Sequence, residues 1–378
     1  MHVSFWEQQS FYNNIDYAII GSGIVGLSAA IELRLKHPNT KVVVFEKGFL
    51  PSGASTKNAG FACFGSPTET LDDLSIMSES EVFNIVKKRW EGLLNLRGLL
   101  GEEAIGFEPL GSCELFTKAD DEIYKKTVDQ LAYLNSFLKP IFKEDVFVCK
   151  DELIEEFGFE NISHVIHNKF EGQINTGKTM KNLLKLAQDK GVEIINGVNV
   201  KSVTQNEEKT IVELDDFKIE ANNVIVATNG FAKQLLPELD VEPARAQVLI
   251  TKPIEGLKLK GTFHYEQGYY YFRNVGNRVL FGGGRNLAFQ EENTNEFNLT
   301  PVIQNRLEEL LKTVILPYQK EIEIEMRWVG IMGVGNKKTT IVKQLDKNIY
   351  CAVRMGGMGV AIGSLIGKEV VELLDQNV

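Results

Sequence analysis

The sequence predicts an α/β protein: a parallel sheet flanked by helices is assembled from separated stretches of chain and carries a second domain of β-sheet and helices. Three observations carry this expectation. A strand–helix–strand pattern opens the chain, α/β patterns return near residue 180 and at the C-terminus, and the segments between have a different character. At 378 residues the chain is too long for one small core and suits two domains.

In order, residues 15–20 (IDYAII) form a continuous apolar run that reads as a buried strand. Residues 24–36 read as a helix, Pro38-Asn39 as a turn and 41–47 (KVVVFEK) as a second buried strand. Helical spacing returns in KTMKNLLKLAQDKG (178–191), where Gly191 is the stop, and VEIINGVNVKSV after it is strand-like. Residues 211–230 read as a hairpin followed by a buried strand over 224–227. The stretch 81–145 looks inserted, with helical spacing at Val82, Ile85 and Val86 and at Leu93, Leu96 and Leu99. Between 244 and 285 aromatic and polar residues alternate, and two strand-like runs flank Val275-Gly276-Asn277. Thr300-Pro301 then opens a helix as N-cap and first helical position, with Leu307, Leu310, Leu311 and Val314 on one face. The chain closes with a strand over 348–353, the turn RMGGMG and an amphipathic helix from Val360 to about Leu374. These patterns place 1–80, 146–232 and 326–378 in a discontinuous nucleotide-binding domain, and 81–145 and 233–325 in a second, substrate-binding domain.

The formal net charge of −10 argues against a nucleic-acid partner, whose phosphates would be repelled, and favours a small-molecule ligand. Cys63, Cys113, Cys149 and Cys351 form no CxxC pair, and His164 and His167 have no ligand partners in sequence, so no metal site is expected. The N-terminal stretch MHVSFWEQQSFYNN has no basic or apolar leader pattern, and no apolar run is long enough to span a bilayer. A cytoplasmic protein is the expectation. No G-x-S-x-G, HExxH or Walker pattern is present.

The first βα turn carries Gly21, Gly23 and Gly26 as G-x-G-x-x-G, with Ser22, Ile24 and Val25 between them. Glycine there lets backbone N–H groups approach a pyrophosphate at the positive end of the helix dipole, which makes the domain Rossmann-type. Glu46, at the end of the second strand and followed by Lys47, is placed to accept hydrogen bonds from a ribose diol. An acidic residue there fits a nicotinamide or a flavin cofactor equally. The choice comes from GASTKNAGFACFG (53–65), a small-residue loop with donors at Ser55, Thr56, Lys57 and Asn58 that serves a flavin and has no purpose for NAD.

On these residues the chain resembles the D-amino-acid oxidase superfamily of FAD-dependent oxidoreductases, in which G-A-S-x-x-N-x-G follows the ribose-binding Glu. The resemblance implies that Ala54, Ser55, Thr56, Asn58, Ala59 and Gly60 cover the pyrophosphate and the isoalloxazine. It also implies that Val200 meets adenine through its backbone and that Ala227, Thr228 and Gly230 contact FAD from the strand VIVATNG. Later blocks, PARAQVLITKP, GYYYFRNVGNRVLFGGGR and RWVGIMG, follow in the family's order. SFWEQQ and the YYxFR block look most like the γ-glutamylputrescine oxidase and glycine/D-amino-acid dehydrogenase branches. Arg354, Gly356, Gly357, Met358 and Gly359 precede a helix, whose free N–H groups and dipole can stabilise negative charge at the flavin N1–C2=O edge.

The chain departs from the family where amino-acid oxidising members hold the substrate carboxylate. They carry an arginine two residues beyond the glycine of W-x-G; here Trp328-Val-Gly330-Ile leads to Met332, which cannot hold a carboxylate bidentately. The carboxylate then falls to Arg273, Arg285 or Arg245, or the substrate is an amine without one. Gly330–Gly333 also lacks the cysteine that ties flavin covalently in the sarcosine-oxidase branch, so noncovalent FAD is expected. Leu280 stands near the position of that branch's oxygen-assisting lysine, leaving O2 or another electron acceptor open. The resemblance puts a tyrosine over the substrate, and Tyr270 is the expected one. His264 is either a base or a structural histidine. The expectation is an FAD-dependent oxidoreductase that takes hydride from the carbon bearing the nitrogen of a small amine or amino acid. The alternative is a flavin-binding redox or binding module with a degenerate substrate site.

Overall fold

A computed structural model describes residues 3–376; positions 1, 2, 377 and 378, the outer ends of the expected nucleotide-binding domain, lie outside the described residues. Ile15–Ile20 is the centre of the first sheet, parallel to Val42–Glu46 on one side and to Lys218–Val226 on the other. Glu193–Asn196 and Ile349–Val353 extend the sheet in parallel, Ile341–Asp346 closes one edge antiparallel, and Thr210–Leu214 with Val200–Gln205 forms an antiparallel flap. The central strands are apolar on both faces because both are covered. Helices Ile24–Lys36, Thr176–Asp189 and Gly359–Asp375 supply Leu27, Ile31, Leu183 and Ile366 to the core on one face. Helices 24–36 and 359–375 touch through glycine: a Cβ on Gly367 would stand 2.6 Å from the Val25 carbonyl oxygen. This contact packs the first turns of helix 24–36 against the middle of helix 359–375.

The second sheet is mostly antiparallel, in the order Ile324–Val334, Glu242–Thr251, Arg278–Gly283, Tyr270–Val275, Thr262–Tyr265, Ser112–Phe116, His164–Asn168, Phe147–Cys149. One face is aromatic: Phe263, Phe272 and Phe281 pack on Leu307 and Leu310 of helix Pro301–Leu310. The opposite face bears Thr262, His264, Tyr271 and Arg273, since successive strand residues point to opposite sides.

Strand 15–20 and helix 24–36 fall where the sequence puts them. Other elements differ. The inserted stretch does hold the long helices Glu79–Leu100 and Asp121–Phe142, but also strand Ser112–Phe116, whose inward Ser112 and Glu114 hide its alternation. The run after Gly191 is two strands, broken at Gly197 with φ +73°. Phe147–Cys149, His164–Asn168 and Ile324–Val334, expected with the nucleotide-binding domain, pair in the second sheet. Residues 324–334 follow the long strand 242–251 through an antiparallel register that carries them away from the first.

Candidate functional site

A cavity of about 910 Å³ opens between the two sheets. Gly21 and Gly23 line one end, and Gly356, Gly357, Met358 and Gly359 line it at the N-terminus of helix 359–375, so both helix N-termini serve one space. Gly21 adopts φ +104°, and a Cβ there would stand 2.9 Å from the Ala227 carbonyl oxygen. Ile24 and Val25 also line the cavity, and the Ile24 N–H donates to Ser55 Oγ at 2.9 Å. The loop that resembles the family's FAD cover is therefore latched to the helix N-terminus where a phosphate would be stabilised. Asn58 stiffens that loop: its Nδ2 donates to the Ser55 carbonyl at 2.9 Å, and its Oδ1 accepts from the Gly60 N–H and the Thr176 hydroxyl, each at 2.9 Å. Ala54, Ser55, Asn58, Ala59 and Gly60 all reach the cavity wall.

Glu46 and Lys47 line the next portion, with Val200 beyond them. The buried Glu46 carboxylate accepts from the Ser22 N–H at 3.1 Å and hydroxyl at 2.7 Å, the Gly48 N–H at 2.9 Å and the Ser52 hydroxyl at 3.0 Å. Donors of this kind fix its direction before any ribose arrives. Ala227, Thr228 and Gly230 form the floor, and the Thr228 hydroxyl is buried there without a partner. An orphaned hydroxyl in a glycine-lined cradle is what a polar cofactor would satisfy. Asn229 ties this floor to the C-terminal turn, its Oδ1 accepting from the Met355 N–H at 3.1 Å.

Four expected contact residues stand off the cavity wall. Ser22 serves Glu46. Gly26 allows the helix to close on the strand, since a Cβ would fall 1.9 Å from the Gly21 carbonyl oxygen. The Thr56 hydroxyl donates to the Pro51 carbonyl at 2.7 Å. Arg354 turns away to pair with Asp240 at 2.6 Å and to donate to the Thr339 carbonyl at 2.7 Å.

The substrate-side expectations need larger correction. Tyr270 is fully buried in the aromatic core, on the opposite side of its strand from the cavity, while Tyr269 and Tyr271 line the cavity. Alternation along Tyr270–Val275 decides this: Tyr271 shares the face of His264, and Tyr270 that of Phe272. Arg273 is on the cavity-facing side but lodged behind Gly60, where a Cβ would come 2.8 Å from its Nη2, and it does not reach the wall. Burial pulls its pKa down to about 10. Arg245 is committed to a buried two-point pair with Glu292, both contacts 2.9 Å. Arg285 is different. It lines the cavity, its Nε is buried without a partner, and no carboxylate pairs with it among the described residues. Desolvation lowers its pKa, and its guanidinium rests 5.0 Å above the Phe289 ring. Met332 lines the cavity, its sulfur facing Gly357. Sequence reasoning missed Phe61, Cys63, Tyr269, Tyr271 and Phe289 as wall residues; only the alternation within the two paired strands, Thr262–Tyr265 and Tyr270–Val275, signals which side the tyrosines take.

A parallel sheet with a glycine cradle, joined through one cavity to a mostly antiparallel sheet, defines a two-domain fold of the dinucleotide-binding class. The family comparison agrees: the chain belongs to the DAO family of FAD-dependent oxidoreductases, whose model matches residues 16–373. It is 26% identical to the bifunctional protein ThiO/ThiG of Synechocystis sp. over 96% of this chain, which spans 52% of that relative's length. It is 24% identical to the γ-glutamylputrescine oxidoreductase of Escherichia coli over 95% of this chain and 83% of the relative. Among solved structures, iminodiacetate oxidase from Chelativorans sp. BNC1 superposes with a TM-score of 0.77 at 20% identity, covering 96% of each chain. No helix among the described residues is long and apolar enough to cross a membrane.

Proposed function

We propose that the protein binds FAD noncovalently along the cavity and oxidises the C–N bond of a small amino acid, or another amine that carries a carboxylate. The observation behind this reading is Arg285: an unpaired guanidinium on the wall of the cavity that both helix N-termini share. Planar guanidinium matches carboxylate with two parallel hydrogen bonds, and partial desolvation strengthens the attraction. FAD, when bound, supplies a two-electron acceptor for hydride from the carbon bearing nitrogen, leaving an imine that water hydrolyses.

The chain's part is positioning. Gly21, Gly23, Ile24 and Ser55 would hold the pyrophosphate at the first helix N-terminus, Glu46 the ribose, and Gly356 to Gly359 the anionic edge of the reduced ring. Arg285 fixes the substrate's acid end, while Phe61, Tyr269, Tyr271 and Phe289 give aromatic surface for its apolar part. Arg285 thus replaces the arginine that Met332 displaces. The test is anaerobic mixing of the purified protein with a panel of amino acids and amines, following the flavin band near about 450 nm. Bleaching by carboxylate-bearing amines supports the reading; a protein that takes up no flavin, or whose flavin none of them reduces, overturns it.

A further inference from the structure

Cys63, Glu171 and His264 come from a loop, a tight turn and strand Thr262–Tyr265, yet one ligand atom of each lies within 4.8 Å of the other two. All three are buried, at 2%, 0% and 8% exposure. His264 Nε2 is enclosed with no hydrogen-bond partner, although leaving a buried ring nitrogen unsatisfied is costly. The Cys63 thiol donates weakly to the Gly172 carbonyl at 3.8 Å and lies 3.6 Å from the Thr262 hydroxyl. Glu171 is oriented from behind: one oxygen accepts from the N–H groups of Phe64 at 2.6 Å and Gly65 at 3.0 Å, and the other from the Ser112 hydroxyl. Cys63 and His264 line the cavity wall, while Glu171 stands behind it.

We propose that Cys63, Glu171 and His264 form a binding site for a zinc-class divalent cation on the cavity wall, with the fourth coordination position open toward the cavity. Sulfur and imidazole nitrogen select a borderline-soft metal over magnesium or calcium, which prefer all-oxygen sets. The carboxylate has lone pairs left beyond its three donors. The two backbone N–H groups and the serine act as an outer shell that holds one ligand in place. Metal–ligand bonds of about 2.0–2.3 Å require the cluster to close slightly, within the reach of side-chain rotation at Cys63 and His264. Binding forms an S–metal bond and releases the thiol proton to solvent, so thiolate and carboxylate together balance the dication. Arg273, on the same sheet face, opposes the incoming charge, and Glu108 beside it offsets that opposition. The site is independent of the proposed redox reading and stands or falls without it.

The experiment titrates the full-length protein, with whatever flavin it carries, with zinc chloride by calorimetry and with cobalt chloride by visible absorption. The expected result is one zinc per chain, release of about one proton on binding, and tetrahedral cobalt bands in the red, beyond the flavin absorption. Cys63→Ser and His264→Ala should each weaken zinc at least about tenfold and remove the cobalt bands. Absence of zinc binding to the wild-type protein at micromolar metal overturns the proposal, as does unchanged affinity in either variant. The wild-type cobalt spectrum decides alone if a variant fails to fold: octahedral, thiolate-free bands also overturn it.

Discussion

The two walls of the cavity are built differently. The parallel-sheet wall lines the cavity with backbone, through Gly21, Gly23 and the turn 356–359, where side chains are missing. The wall from the second sheet lines it with side chains, His264, Tyr271 and Arg285. A backbone wall suits a ligand group such as a phosphate that backbone N–H groups can bind, and a side-chain wall can change what it binds by exchanging a few residues. The difference is also one of tolerance. Close backbone contacts have no room to adjust, whereas a strand surface can repack.

The largest expected loss belongs to the backbone wall. Gly21→Val puts a β-branched residue at φ +104° and its Cβ 2.9 Å from a carbonyl oxygen, so the turn must shift away from where phosphate would sit. The expected flavin content after purification is below about one tenth of wild type, read from the ratio of visible to ultraviolet absorbance. Full flavin retention would show that the cradle is not made of backbone.

Next comes the side-chain wall. Arg285→Met should leave flavin content unchanged and raise the KM for carboxylate-bearing amines by about a hundredfold, with little change for amines lacking the carboxylate. Arg273→Met, behind Gly60, should shift KM by no more than about twofold. Equal losses from both substitutions would mean that the carboxylate reaches a guanidinium the present geometry keeps off the wall.

The same division explains what could be read without coordinates. The glycine turn, Glu46 and the loop 53–60 act within short sequence distances, and their geometry follows from local rules about positive φ and helix ends; most of them reach the cavity. Val200, Thr228 and Gly230 came through resemblance and also line it. The second wall depends on strand register. Tyr269, Tyr270 and Tyr271 look alike in sequence, and only the pairing His264↔Tyr271 sends Tyr270 into the aromatic core. Arg245, Arg273 and Arg285 are likewise indistinguishable until Glu292, placed by a distant loop, neutralises the first and Gly60 screens the second. The cluster of Cys63, Glu171 and His264 has no spacing signature because three segments build it.

A smaller effect concerns the cost of placing polar groups inside the second sheet. Glu114 is fully buried opposite His264 in register, and burial pushes its pKa from 4.5 up to about 7 despite hydrogen bonds from Ser66 and Thr68. Below pH 4.5 the carboxyl is neutral in folded and unfolded chains alike. Between 4.5 and 7 the unfolded chain ionises first, so stability falls as pH rises, and above 7 the loss is constant. Glu114→Gln, which keeps the shape and the contact with the Thr68 N–H, should remove this slope, so that between pH 4 and pH 8 the variant gains about 3 kcal/mol relative to wild type. Parallel urea titrations of both proteins at the two pH values measure it, and an unchanged slope would assign the pH dependence to other groups.

The smallest effect sharpens the comparison within one strand. Tyr270 has its ring in the apolar cluster, and its buried hydroxyl interacts with the Arg306 guanidinium. Tyr271, one residue on, faces the cavity. Removing the hydroxyl sets the lost Arg306 interaction against a relieved desolvation cost and leaves the ring's packing intact, so Tyr270→Phe should change stability by less than about 1 kcal/mol. Flavin content and substrate affinity should stay as in wild type. Tyr271→Phe alters a group on the wall, and its readout is substrate affinity, with a change of about two- to fivefold expected and little change in melting temperature. If Tyr270→Phe moved affinity while Tyr271→Phe did not, the strand register would be off by one residue and every side chain on that wall would have to change sides.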